Sequence, residues 1–144
     1  MHFLAPPPLG LLLSQTAKVI GRAMEDAMAA EGGTVPVWQV LLTLKTRPVS
    51  NQRELAAAVG IQGATLTHHL NAMEDDGLLT RRRSPGNRRV HEVELTERGE
   101  ELFARLRGVA VGFDQRLRSG FSPEETATLA ELLTRLKSSV DDPE

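Results

Sequence analysis

From Leu9 to Ala30 the apolar residues Leu12, Leu13, Ala17, Ile20, Met24, Ala27 and Met28 recur at spacings of three and four. That is the period of one helix face, over about five to six turns. Gly32 and Gly33 stop it. Thr34 then opens a second helix, with Pro36 in its first turn and Trp38, Leu41 and Leu42 along it, which Pro48 ends. Asn51 and Glu54 have the spacing of a capping box at the head of a short third helix that Gly60 closes. The stretch "ATLTHHLNAMEDDG" predicts a fourth helix, stopped by Gly77.

There the period changes to two. Thr80–Ser84 and Arg89–Leu95 alternate, with Val90, Val93 and Leu95 apolar, and Pro85, Gly86 and Asn87 between them supply turn chemistry. This predicts a two-stranded hairpin. A long helix on Leu102, Leu106, Val109, Phe113 and Leu117 follows. Ser122, Pro123 and Glu125 open a last one carrying Leu129, Leu132, Leu133 and Leu136. The expected fold is mainly α with a small β wing. A winged helix-turn-helix occupies residues 35–96, with outer helices in 1–34 and 97–144.

Composition narrows the core. With one Trp, four Phe and no Tyr in 144 residues, the interior must be Leu, Val and Ala, which suits packed helices. The absence of cysteine excludes disulfides, thiol redox sensing and Cys-ligated zinc. The start lacks a basic leader and a small-residue cleavage site, and its apolar runs fall short of the ~20 residues that span a bilayer. The expectation is a cytoplasmic protein with no membrane partner.

Charge changes the picture more. Of 17 Lys and Arg, five (Arg81, Arg82, Arg83, Arg88 and Arg89) sit between positions 81 and 89, where there is no acid, and outside that stretch 12 face all 19 Asp and Glu. A basic finger on an acidic body points to a polyanion held at one place. The fourth helix supplies a second element. Leu66, Leu70 and Met73 share one face, which puts Ala64, His68 and Asn71 opposite, with Thr65 and Thr67 on the flanks. Small and polar side chains on that face suit a major-groove floor, and Gln62 and Gly63 at the helix start suit a phosphate. An amphipathic helix with a merely solvated face has the same period; the short turn before it and the arginine hairpin after it favour DNA.

His68, His69 and His91 invite a metal. Adjacent helical residues diverge by about 100°, however, and no cysteine or carboxylate is spaced to complete a tetrahedral site. Neither metal nor other cofactor is expected. Nor is an enzyme: the chain has no supported Ser/His/Asp arrangement and no phosphate-cradling glycine loop.

The stretches "VWQVLLTL", "NQRELAAAVGIQGATLTHHLNAMEDDGLLTRR" and "NRRVHEVELTERG" together resemble the MarR family of bacterial winged-helix regulators. The likeness covers nearly the whole chain and needs no gap from Trp38 to Gly99. The family's wing pattern, D-x-R-x-x-x-V-x-L-T, stands here as Asn87, Arg89, Val93, Leu95 and Thr96. Asn87 departs from it. In the family a carboxylate there holds the arginine that enters the minor groove, whereas Asn accepts a hydrogen bond without adding charge.

The resemblance implies a homodimer in which the first, fifth and sixth helices interlock with a second copy, so that 1–34 and 97–144 are dimerisation helices. Their apolar faces exceed what a small head can cover, which agrees. Gly108 and Gly112, each unfavourable by about 1 kcal/mol in a helix interior, fit either close approach at that contact or a local kink. The resemblance also implies an effector pocket for a small, often anionic aromatic, molecule. Lys18 and Arg22, one turn apart, can meet a carboxylate beside Trp38; two solvated cations and a core tryptophan would look the same.

The sequence therefore points to a sequence-specific double-stranded DNA-binding regulator on a palindromic operator. Repression is favoured because it needs only site occupancy. The DNA contacts are expected at Gln62, Gly63, Ala64, Thr65, Thr67, His68, Asn71, Arg81, Arg83, Asn87, Arg88 and Arg89. The alternative is a winged helix used for protein contacts or assembly, with no operator.

Overall fold

A computed structural model describes residues 7–47, 51–84 and 87–141, and of these the side chains of 83–91 lie outside the description. The turn residues Pro85 and Gly86 and the helix-ending Pro48 are likewise outside it. Among the described residues six helices and one hairpin follow in the expected order: α1 Leu9–Ala30, α2 Val35–Thr46, α3 Gln52–Val59, α4 Gly63–Asp75, β1 Leu79–Ser84, β2 Asn87–Leu95, α5 Glu97–Arg118 and α6 Pro123–Ser138.

The ends of these helices are set by local chemistry. The Thr34 hydroxyl accepts the Val37 N–H at 3.2 Å and starts α2. Asn51 Oδ1 accepts the Glu54 N–H at 2.9 Å at the head of α3. At α6, Ser122 and Glu125 form the full reciprocal box, at 3.1 and 2.9 Å. Each cap satisfies amide donors that have no carbonyl four residues back.

The strands pair antiparallel, Leu79 opposite Leu95, Arg81 opposite Val93 and Arg83 opposite His91. The register then shifts, setting Ser84 opposite Asn87. The strands thus begin one residue earlier in β1, at the buried Leu79 that pairs with Leu95, and two earlier in β2, where the pairing of Asn87 with Ser84 runs past the apolar pattern.

By its packing the chain forms two units, one ending at Ala110 and the other beginning at Val111. The first holds the core: Met28 from α1, Trp38, Val40 and Leu41 from α2, Leu55 and Ala56 from α3, Leu66, Leu70 and Met73 from α4, Leu78 and Leu79, and Leu102 and Leu106 from α5. Side chains from every helix of the unit meet there, so the wing and α4 stand on one close-packed base. On α1 only Met28 is buried, while Leu12 and Leu13 on the predicted apolar face remain 47% and 42% exposed. In the second unit Val111, Leu117, Phe121, Leu129, Leu132 and Leu133 are exposed, and no residue of α6 is buried. A Cβ added at Gly108 or Gly112 would meet nothing within 4 Å, so among the described residues no close approach accounts for either glycine.

The base of the wing is fastened by Thr96. Its N–H donates to the Leu78 carbonyl at 3.1 Å and its hydroxyl to the Gly77 carbonyl at 2.6 Å, while the hydroxyl oxygen accepts the Gly99 N–H at 3.1 Å. One side chain thereby caps α5 and closes the turn in which Gly77 adopts φ +75°. Among the described residues, no helix is long and apolar enough to cross a membrane.

Candidate nucleic-acid interface

The packing of α4 decides what it shows. Leu66, Leu70 and Met73 are at most 1% exposed, which turns Gly63, Ala64, Thr65, Thr67, His68 and Asn71 outward, all exposed. His69, three residues after Leu66, is half-buried and His68 exposed; their rings lie 5.8 Å apart, tilted by 59°. Gln62 precedes the helix without capping it, so the first amides of α4 point outward with the positive end of the helix dipole.

Against α4 stands α3. Gln52, Arg53, Ala56, Ala57, Ile61, Gly63 and Thr67 line a cleft of about 450 Å³ between the two helices. Sequence reasoning passed over Gln52 and Arg53. Their signal was the Asn51 cap, which puts both in the first turn of α3, the turn that opens toward Gly63 and Thr67.

The wing arginines divide. Arg81 does not reach outward: its side chain is 16% exposed and folds back over the helices. Nη1 donates to Gln52 Oε1 at 3.4 Å, and Nη2 donates both to Asn71 Oδ1 and to Glu74 Oε1, the latter at 3.3 Å. The Arg81 backbone N–H donates to Glu74 Oε2 at 3.1 Å. Glu74 thus holds Arg81 at two points, one on the guanidinium and one on the backbone, with the carboxylate itself 40% exposed. Arg82, by contrast, is 66% exposed and pairs with Glu94 at 2.9 Å, a contact of little energetic weight. Arg83, Asn87, Arg88 and Arg89 have their backbones in the two strands, and their side chains are among those outside the description.

The expected effector residues are placed apart by burial. Lys18 and Arg22 are exposed on α1. Trp38 is 9% exposed and stacks on Phe103, with ring centroids 5.6 Å apart and an interplanar angle of 16°. The Lys45 ammonium lies 5.6 Å from the Phe103 centroid and pairs with Glu100 at 2.9 Å. Trp38 thus joins α2 to α5. Among the described residues no group of three or more His, Asp or Glu is gathered to hold a metal ion.

This arrangement presents a polar helix face and a basic hairpin from one rigid base, the geometry that places a helix in a major groove with a wing beside it. Residues 34–91 match the model of the MarR family. The structure is similar to the transcriptional repressor CouR bound to a 23-mer DNA duplex, at 27% identity and a TM-score of 0.83, covering 95% of this chain and 99% of that one. It is similar to CouR bound to p-coumaroyl-CoA, at 27% identity and 0.78, covering 90% and 91%. Apo MarR from E. coli shares the fold at 22% identity and 0.72, covering 94% and 98%.

Proposed function

We propose, on the premise that residues 34–91 form a MarR-family winged-helix domain, that this chain is a sequence-specific double-stranded DNA-binding transcriptional regulator. It acts as a homodimer on an inverted-repeat operator. The observation that carries this is the outward face of α4, with Thr67, His68 and Asn71 all exposed beside a five-arginine hairpin. Gln62, Gly63, Ala64 and Thr65 lie along the same end of the helix and meet phosphate and base edges. Arg83, Asn87, Arg88 and Arg89 extend the contact along the wing, with Arg89 the residue for the minor groove.

Dimerisation supplies the second half-site contact. The exposed apolar residues of α1, and separately those of the end of α5 and of α6, support it, since apolar side chains left on a surface in number mark an interaction site. The regulator is a repressor released by a small anionic aromatic ligand, as befits a chain similar over its length to a repressor solved with p-coumaroyl-CoA. Lys18, Arg22 and Trp38 are the residues proposed for that ligand, in a pocket completed in the dimer.

Fluorescence anisotropy tests this, with duplexes carrying inverted repeats from the DNA flanking the coding region. The operator should bind on the order of a thousandfold or more tighter than random duplex, with a steep salt dependence. His68→Ala should change which sequence is preferred, and Arg88→Ala should weaken binding to all sequences. Equal affinity for operator and random duplex with a shallow salt dependence would instead identify a protein-interaction module.

A further inference from the structure

We propose that Arg81 sets which hydrogen-bonding groups the recognition helix offers to base edges: it is a positioning residue, and Asn71 is the specificity residue it acts through. This rests on the operator-binding reading and goes beyond it, because it assigns the chemistry of the base that is read.

The argument begins with donors and acceptors. A guanidinium has only donors. Asn71 must therefore turn its carbonyl oxygen toward Arg81, and Oδ1 does accept from Nη2. That leaves the two N–H bonds of Nδ2 for whatever lies outside. A free asparagine reads adenine by using both atoms at once, oxygen to N6 and nitrogen to N7. An asparagine whose oxygen is turned onto a charged donor at its own surface keeps a second lone pair, but it is its nitrogen that faces outward, so toward the groove it offers chiefly a donor. Guanine offers two adjacent acceptors in the major groove, O6 and N7, and thymine offers O4; adenine sets its N7 acceptor beside the N6 donor, which an outward NH2 group meets less well, and cytosine presents a donor there.

Thr67 stands at the end of the same chain of contacts, though its hydroxyl is set by its own helix. Arg81 Nη1 donates to Gln52 Oε1 at 3.4 Å, which leaves Gln52 Nε2 to donate to Thr67 Oγ1 at 3.5 Å. The Thr67 hydroxyl in turn donates to the Gly63 carbonyl at 3.0 Å. Its hydrogen is thus turned into the helix, and toward the groove Thr67 shows a lone pair and a methyl group. Glu74 completes the clamp by accepting both the backbone N–H and Nη2 of Arg81. At 16% exposure the Arg81 side chain is poorly placed to meet phosphate itself.

In vitro selection from randomised duplexes, with the full chain and its variants, decides the matter. Asn71→Ala first identifies the position in each half-site that Asn71 reads, as the one where base preference collapses. Wild type should select guanine or thymine there. Arg81→Met, similar in length and uncharged, should release Asn71 and move the preference to adenine by about tenfold. If Arg81 were merely structural, the variant would bind every sequence more weakly and keep the same base. A circular dichroism melt checks that it folds. Should it not, Asn71→Asp still tests the assignment: the carboxylate keeps an oxygen for Arg81, turns an acceptor outward, and should move the preference to cytosine or adenine. Adenine or cytosine selected by wild type, no position lost in Asn71→Ala, or an unchanged base in a folded Arg81→Met or in Asn71→Asp would each overturn the proposal. A wild-type pool that enriches no sequence would overturn the operator reading itself, and this assignment with it.

Discussion

The carbonyl oxygen of Leu78 lies 2.0 Å from where a Cβ on Gly99 would stand, and the same oxygen accepts the Thr96 N–H at 3.1 Å. The first turn of α5 is thus pressed against backbone at the foot of the wing, not against a side chain that can rotate away. Gly99→Ala must push α5 off the wing base or break the Thr96 contacts. We expect a loss of about 1–3 kcal/mol or more, read as a fall in Tm of several degrees. A melting curve that superposes on that of the unaltered chain would refute the close approach.

Trp38 and Glu100 both bridge α2 and α5, one buried and one at the surface. Trp38→Ala removes a ring stacked on Phe103 and leaves a cavity, costing about 3–5 kcal/mol. Glu100→Gln removes an exposed partner of Lys45, worth below about 1 kcal/mol. Chemical denaturation should rank them so. Comparable losses would mean the ion pair, not the stacked rings, joins the helices.

Leu132 and Leu133 are 48% and 43% exposed on α6. If they lie at the contact between two copies, Leu132→Glu with Leu133→Glu should yield a monomer by analytical ultracentrifugation at micromolar concentration. The unaltered chain should sediment at about twice its own mass. Operator affinity of the variant should fall with the loss of the second half-site. A monomeric wild type that binds an inverted repeat tightly would contradict the proposed architecture.

Arg89 is the residue we propose for the minor groove. Arg89→Ala removes two guanidinium groups per dimer, so the slope of log affinity against log salt should become shallower by up to ~2 units. The Tm should hardly change, because a wing residue adds little to the core. Arg89→Lys should restore only part of the affinity, since a point charge lacks the planar fork. Asn87→Asp, which supplies the carboxylate of the family pattern, should bind equally or more tightly. Weakening by Asn87→Asp as large as that from Arg89→Ala would show that Arg89 is not held in the family's manner.

The number, order and ends of the helices were legible along the chain because their causes are local. Period three-and-four, the caps Thr34, Asn51 and Ser122 and the stops Gly60 and Gly77 act within a turn or two of themselves. The outward face of α4 was legible for the same reason: Leu66, Leu70 and Met73 must be buried together, and on a helix that turns His68 and Asn71 away. Only the tertiary structure decided what Arg81 does. Five arginines in a hairpin look alike in sequence, yet one of them meets Gln52, 29 residues earlier, and Asn71, 10 residues earlier. A long flexible side chain goes wherever packing brings a carboxylate and two amides together, and no local period encodes that meeting. Gly99 is of the same kind. Its need for no side chain comes from the carbonyl of Leu78, a neighbour created by folding the wing back onto α5.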